Sequence, residues 1–355
     1  MPNKMPITRR QTLLALSRWA SLGLAWCGTA ALATHAQPAA ANPVRLIPAD
    51  AKPNSTIDHF LINATTHRKV GLRIRLPAGK EKTGLIIYSP GLGSGLNNGA
   101  PWCDAWRRAG FIVVTLSHPV TNDDIWDTRK KSLKDNLREA LAFPQYGLRV
   151  TDCKFVIDAC LQDPDLESLI DPERIGIAGH SYGALTVQSI AGQSHGRSQG
   201  DSRIKAAIAF SPTAATAAAA TGMRTVKIPF FCIMGDKDNH VTFKNDTDAM
   251  RLGVDLSKRK TVYQGLPPGK REQLIVANAD HMSFAGENLF EIPARFSRDI
   301  NATPEQDSNT WEKISQVTTL FWLAHLRTSA SDADLKKYRD TVRDRLGPGD
   351  DYVSG

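Results

Sequence analysis

Between Arg174 and Ala191 the chain changes its apolar period across five residues, and nothing else in it constrains the fold as tightly. Arg174-Ile175-Gly176-Ile177-Ala178 is a short apolar run introduced by the turn-forming Asp171-Pro172-Glu173. Ala184-Leu185-Thr186-Val187-Gln188-Ser189-Ile190-Ala191 repeats its apolar residues at helical spacing instead. The first pattern predicts a buried strand and the second a helix. Gly179-His180-Ser181-Tyr182-Gly183 joins them, so a G-x-S-x-G lies on a strand-to-helix turn. A turn that sharp holds its central residue in a strained backbone conformation, with the side chain above the sheet. The flanking glycines are needed because side chains there would collide with the neighbouring strand and helix.

The rest of the chain repeats this alternation. Strands are predicted at Thr56–Asn63, Lys69–Leu76, Thr83–Tyr88, Phe111–Leu116, Arg174–Ala178, Ile204–Phe210, Lys227–Met234 and Gln273–Ala277. Helical patterns cover Pro101–Ala109, Tyr146–Leu161, the segment after Ser181, Asn309–Arg327 and the more polar Asp332–Leu346. Continuous apolar runs suit strands covered on both faces. The pattern predicts an α/β domain: a mostly parallel, eight-stranded sheet with helices on both faces. No internal repeat or second domain boundary interrupts it. The small residues of Ala214–Ala220 are expected to keep a surface open. The short Ser211–Val226 connection leaves no room for a large lid domain there, and Asn122–Ser132 and Gly286–Ser308 are the segments expected to line a cleft.

The first residues read differently. Thr8-Arg9-Arg10-Gln11-Thr12-Leu13-Leu14 places paired arginines before a stretch rich in Ala, Gly and Leu, the pattern of a twin-arginine export signal over residues 1–36. Cleavage is expected after Ala33 or Ala36, because Arg18 and the Ser, Gly and Thr residues weaken the segment as a membrane anchor. Trp26 is too large for the position before Cys27 in a lipoprotein cleavage site. Residues 37–53, rich in Ala and Pro, read as a linker, which leaves 54–355 as the folded domain. No second long apolar segment follows, so no stable membrane span is expected after cleavage, and the location is periplasmic or secreted. Removing Lys4, Arg9, Arg10 and Arg18 lowers 44 basic residues to 40 against 36 acidic. These charges are dispersed and accompany no nucleic-acid motif, so a solvated surface is expected rather than a nucleic-acid partner. Cys153 and Cys160 share a helix about 10 Å apart, too far for a disulfide, and their spacing fits no zinc site. Buried free thiols are expected, with pairing of Cys103 to another cysteine left open.

Serine becomes a strong nucleophile only when a base takes its proton, and the base needs a partner that orients it. After a serine on a strand-to-helix turn, the expected chain order is acid, then histidine. Pro229–Met234 runs into Gly235-Asp236-Lys237-Asp238, and the next apolar strand runs into Ala277-Asn278-Ala279-Asp280-His281. Strand ends on one edge of a parallel sheet converge. His281 is the candidate base. Asp238 is favoured as its acid over Asp236, because the loop must leave the strand before bending toward the histidine. Asp280 adjoins His281 and points away from it, as a surface or turn residue. His118 precedes the serine and suits a wall or hydrogen-bonding role; His180 supports the turn. An oxyanion would need two N–H donors, for which the amides of Tyr182 and Leu92 are the candidates, the latter in the glycine-rich Tyr88–Gly93 loop. Gly91-Leu92-Gly93-Ser94-Gly95 does not match the G-x-G-x-x-G of a dinucleotide site. No organic cofactor or metal is implied.

Together these residues resemble the α/β-hydrolase superfamily, most closely the bacterial dienelactone-hydrolase-like and platelet-activating-factor-acetylhydrolase-like esterases. The resemblance runs from about Leu72 to Arg327. Ser89-Pro90-Gly91-Leu92-Gly93 is similar to that group's S-H-G-L-G oxyanion loop. Gly110–Val114 with Ser117-His118-Pro119 is similar to its next strand and exit, Arg174–Gly183 to its nucleophile turn, and Thr318–Trp322 to its last helix. Pro90 stands where a histidine is usual, and Ala184 where a third glycine is common. Dienelactone hydrolases proper use a cysteine nucleophile, so Ser181 points to esterase chemistry. The resemblance implies an α/β-hydrolase fold without a large lid and a Ser181–His281–Asp238 triad cleaving a small-molecule or lipid-like carboxylic ester. Amides, polymer esters, peroxide-dependent perhydrolysis and a non-catalytic binding role remain alternatives to that substrate, and the oligomeric state stays open.

Overall fold

The computed structural model describes residues 45–196, 199–245, 247–287, 296–297, 303–326 and 330–355. The export signal expected over residues 1–36 lies outside them, as do the linker residues 37–44 and most of the Gly286–Ser308 segment. Twelve strands are described: β1 (Thr56–Ile62), β2 (Lys69–Arg75), β3 (Thr83–Ser89), β4 (Ile112–Ser117), β5 (Ile170–His180), β6 (Ile204–Phe210), β7 (Phe230–Lys237), β8 (His240–Lys244), β9 (Ala249–Gly253), β10 (Arg271–Asp280), β11 (Phe296–Ser297) and β12 (Asp351–Ser354). The helices are α1 (Ala100–Arg108), α2 (Leu133–Ala140), α3 (Phe143–Gln162), α4 (Pro164–Glu167), α5 (Tyr182–Ile190), α6 (Ala217–Gly222), α7 (Leu256–Gly265), α8 (Pro304–His325) and α9 (Asp332–Arg343). Two of the longer ones, α3 and α8, start three and five residues before the expected Tyr146 and Asn309, and α8 and α9 carry clear start signals. Thr303 and Ser331 cap α8 and α9 in reciprocal boxes with Gln306 and Asp334, and Pro304 occupies the first turn of α8, where its missing N–H costs nothing.

The main sheet has nine strands in the order β1-β2-β4-β3-β5-β6-β7-β10-β12. Its six central strands, from β4 to β10, are parallel, with β1 and β2 antiparallel at one edge and β12 antiparallel at the other. All eight strands expected from apolar runs belong to it. The ninth, β12, was not expected. Its residues are alternately exposed and half-buried, and four such residues at an edge give no continuous apolar signal. A separate three-stranded sheet, β11-β8-β9, was also missed for its short, mixed strands.

Alternate residues of β3 divide the interior into two layers. Leu85 and Ile87 join Val156, Ile157, Val187 and Val262, from α3, α5 and α7. Ile86 and Tyr88 join Trp102, Trp106, Phe321 and Trp322, from α1 and α8. The cysteines fall on opposite sides of this divide: Cys103 lies in the second layer and Cys153, Cys160 and Cys232 in the first. The four cysteines among the described residues are buried free thiols, and burial pushes the Cys103 and Cys160 thiols up to about 12. The expected linker is shorter than its composition suggests. Leu46 and Ile47 are buried in the first layer, and the Leu46 amide donates to Asp163 at the start of α4.

The strand order fixes where a ligand can enter. After β3 the chain moves to β4 on one side, and β5 then adds on the other side of β3. The carboxyl ends of β3 and β5 therefore flank a crevice, the usual position for ligands in open α/β sheets. Above it lies a third apolar cluster in which Leu133 and Leu137 of α2 meet Val241 and Phe243 of β8 and, from the crevice itself, Leu92 and Tyr182. Trp126 stacks on Phe243 with ring centroids 5.9 Å apart. The Ser211–Val226 connection does carry only the short α6 and a 3-10 turn at Met223–Thr225, but a small cover exists elsewhere, built from residues 123–140 and the β8–β9 hairpin. Asn122–Ser132 was expected to line a cleft, and its Ile125 and Trp126 pack into this cover instead of lining the cleft itself; α2 and the hairpin were not expected, because neither is strongly apolar.

Candidate active site

Ser181 stands between the end of β5 and the start of α5 with φ 55° and ψ −112°. This is the left-handed region that non-glycine residues avoid, so a strain of about 1–3 kcal/mol is held in place by the surroundings. The Ser181 amide donates to Phe210 at the end of β6, and its carbonyl accepts from Leu185 one turn into α5. Gly183 shows how tightly the turn is held: a Cβ there would stand 1.8 Å from the carbonyl oxygen of Ser89, at the exit of β3. Two backbone segments cannot both keep their places around that atom. Gly183→Ala is therefore expected to lose about 3 kcal/mol or more of stability, measured by urea unfolding, where an exposed glycine would gain from the same change.

The turn brings the three expected side chains together. Ser181 Oγ lies 2.8 Å from His281 Nε2, and His281 Nδ1 lies 2.8 Å from Asp238 Oδ1. His281 follows the end of β10 and Asp238 the end of β7, so one parallel edge supplies the set. Asp236 takes no part: it is a third exposed and pairs with Lys237 at 3.4 Å. Asp280 is the turn residue of the two expected alternatives, and it is buried; it caps the 3-10 turn His281–Phe284 in a reciprocal box with Ser283. That cap holds the backbone of His281. His180 holds it as well, donating from Nε2 to the His281 carbonyl at 3.0 Å. Burial, then the nearby His281, keeps His180 well below the usual histidine range, so it is neutral at pH 7.

Two partners of this set were not found in the sequence. Ser211, just past β6 with φ 52°, donates its hydroxyl to Asp238 Oδ2 at 2.5 Å. Arg259 on α7 reaches back so that its Nε lies 2.9 Å from Asp238 Oδ1 and Nη2 lies 3.1 Å from His281 Nδ1. It also donates to the carbonyls of Ser211, Asp238 and Asn239, binding the exits of β6 and β7 to α7. Burial alone would push the Asp238 carboxyl up. The Arg259 charge, His281 and the hydrogen bonds from His281 and Ser211 outweigh burial and bring it down to about 2. Asp238 is thus an anion contacted by His281 and Arg259 at Oδ1 and by Ser211 at Oδ2, the condition for fixing the histidine's orientation and tautomer. Ser211 was detectable in principle, since it too ends a central strand. Arg259 gave no signal, being one cation of a polar helix segment.

Leu92 lies in the loop after β3 and Tyr182 opens α5, and among the described residues no protein acceptor is bonded to either amide. The Leu92 loop is held from below by a buried chain. Arg149 donates to Ser89 Oγ and to the Pro90 carbonyl, Ser89 Oγ lies 3.0 Å from His118 Nε2, and His118 Nδ1 lies 2.9 Å from Asp152. Arg68 completes it with two contacts to Asp152. Burial, and then the Arg149 charge, brings His118 down to about 4. It is therefore neutral, accepting from Ser89 and donating to Asp152. Of the two roles open to His118 the hydrogen-bonding one is realised; the residue is buried and forms no wall of the cleft.

A cleft of about 230 Å³ opens directly over Ser181 and His281, with Leu92, Leu185, Val241 and Leu252 among its lining. A larger cavity of about 740 Å³ lies between α1 and α8, on the opposite layer and away from these groups. The smaller cleft is the relevant one because the reactive side chains line it. Among the described residues no group of three or more His, Cys, Asp and Glu is placed to hold a metal ion, and no helix is long and apolar enough to cross a membrane. No protein-family model and no curated protein matches this chain.

Proposed function

We propose that this chain adopts the α/β-hydrolase fold and is a serine hydrolase that cleaves carboxylic esters through an acyl-enzyme. The observation that carries the reading is the unbroken hydrogen-bonded run from Ser181 Oγ through His281 to buried Asp238, opening on a cleft. In this mechanism Ser181 Oγ attacks the acyl carbon while His281 Nε2 takes its proton. The carbonyl oxygen becomes an anion held by the Leu92 and Tyr182 amides. His281 then gives the proton to the departing alkoxide, which leaves as the alcohol. Water attacks the acyl-serine with His281 again as base, the anion collapses, and the acid is released as Ser181 regains its proton. Asp238 stays ionised throughout and stabilises the imidazolium formed in each half.

His281 supplies every proton transfer in this scheme, and the backbone amides and Asp238 supply its charge contacts. The twin-arginine pattern in residues 1–36 supports a periplasmic or secreted location. The test is covalent. A fluorophosphonate probe incubated with the purified protein is expected to modify Ser181 alone, seen by peptide mass spectrometry, and to stop turnover of p-nitrophenyl acetate in proportion to labelling. A protein that hydrolyses no ester and takes up no probe is not a serine esterase, and a non-catalytic role for the fold would then stand.

A further inference from the structure

The β8–β9 hairpin is inserted between Asp238 and α7, the helix that returns Arg259 to the same carboxylate. One wall of the cleft is thus covalently continuous with the acid of the reactive set. Val241 and Leu252 of the hairpin line the cleft together with Leu92, Leu185 and Leu141. Arg259 and His281 also line it, but both are committed to Asp238, and among the described lining residues there is no other cation. A carboxylate or phosphate on the substrate would lose its water there without gaining a partner, which costs several kcal/mol.

The reaction geometry decides which part of an ester enters. In the tetrahedral intermediate the anionic oxygen points to the Leu92 and Tyr182 amides and the departing oxygen to His281 Nε2. The acyl chain is the remaining substituent and must point away from His281, toward the side lined by Leu92, Leu185 and the hairpin. The volume sets its length. At about 30 Å³ per non-hydrogen atom, the share of a water molecule in the liquid, a cleft of about 230 Å³ holds between seven and eight atoms. The ester carbon and oxygen take two of them.

Resting on the esterase reading, we infer that the hairpin forms an acyl pocket for neutral, unbranched chains of about six to seven carbons, the carbonyl carbon included, and that Leu252 sets the upper limit. Short-chain to lower medium-chain carboxylic esters are then the substrate class, rather than long-chain lipids, polyesters or esters bearing a carboxylate. Each methylene buried in the pocket is worth about 0.8 kcal/mol, so kcat/KM rises about fourfold per carbon until the pocket is full.

The experiment is an acyl-length series of p-nitrophenyl esters from two to twelve carbons on the wild type, Leu252→Trp and Leu252→Ala. Leu252 is half-buried at the cleft, so these variants leave the core intact. The wild type is expected to climb from acetate to about hexanoate and to fall beyond octanoate. Leu252→Trp lowers the hexanoate-to-acetate ratio of kcat/KM by at least about tenfold, while Leu252→Ala moves the optimum to a longer chain. Three outcomes overturn the inference: parallel acyl profiles in wild type and Leu252→Trp, a Leu252→Trp effect that follows the alcohol in an alkyl acetate series instead, or a hemisuccinate ester turned over as well as the butyrate. Probe labelling of Ser181 separates the two claims. A labelled, acetate-cleaving protein with an unchanged profile loses only the pocket, whereas one that cleaves no ester and takes no label loses the esterase reading and the pocket with it.

Discussion

Ser181→Ala should lose ester turnover by about 10⁴- to 10⁶-fold in kcat, with KM changed little, because in the proposed mechanism the hydroxyl removed is the atom that bonds to the acyl carbon. The cleft, the two free amides and the His281–Asp238 pair all survive the change, so residual hydrolysis by water held in the site sets the floor. Stability separates this reading from a purely structural role for the serine. Ser181 has φ 55°, and alanine has the same aversion to that region, so the variant should unfold within a degree or two of the wild type. Ser181→Gly removes both the hydroxyl and the strain. It should be equally inactive and more stable than the alanine variant by about 1 kcal/mol, measured by urea unfolding. A strained residue whose replacement by glycine stabilises the protein is one retained for something other than folding. Appreciable turnover in purified Ser181→Ala would end the assignment of the nucleophile.

The parts of this site that were readable in the sequence are those encoded by local period. The turn at Gly179–Gly183 announces itself because a strand pattern becomes a helical one around it. Asp238 and His281 were reachable because each follows an apolar run, and a parallel sheet gathers such ends at one edge. What was missed acts across long sequence distance. Arg259 is a single cation on a polar helix until folding places it against a carboxylate 21 residues earlier. Asp152 and Arg149 look like the solvated face of α3, yet both are buried, because they hold the exit of β3 rather than meet water. The hairpin part of the cover is made of short, half-exposed strands whose apolar residues are too few to show a period of two. Leu46 and Ile47 were hidden by the Ala- and Pro-rich composition around them. Composition therefore described the sheet well and the cover badly, and the cover is the part that would select a substrate.

The contrast between Asp238→Asn and Asp236→Asn tests the electrostatic half of the site. Asp236 makes one partly exposed ion pair with Lys237, so its replacement should change kcat by less than about twofold and stability by less than about 1 kcal/mol. Asp238→Asn should lower kcat by about 10⁴-fold, since an asparagine amide can donate to Nδ1 and stabilise the wrong histidine tautomer. Arg259 makes the loss larger than orientation alone. Its guanidinium is buried 2.9 Å from the carboxylate oxygen and 3.1 Å from His281 Nδ1. Once the anion is gone, that charge opposes formation of the imidazolium that each half-reaction requires. Removing one partner of a buried pair also costs about 3–5 kcal/mol, so this variant should be destabilised where Asp236→Asn is not. The pH dependence has a definite sign. The Asp238 pKa is about 2 in the folded chain, below its value of about 3.9 in an unfolded one, so its stabilisation is full above that unfolded value and fades as pH falls toward 2. The stability gap between wild type and Asp238→Asn should therefore be widest near neutral pH and shrink on acidification between those limits. A gap that stays constant down to pH 2 would mean that Asp238 stabilises the fold by shape rather than by charge.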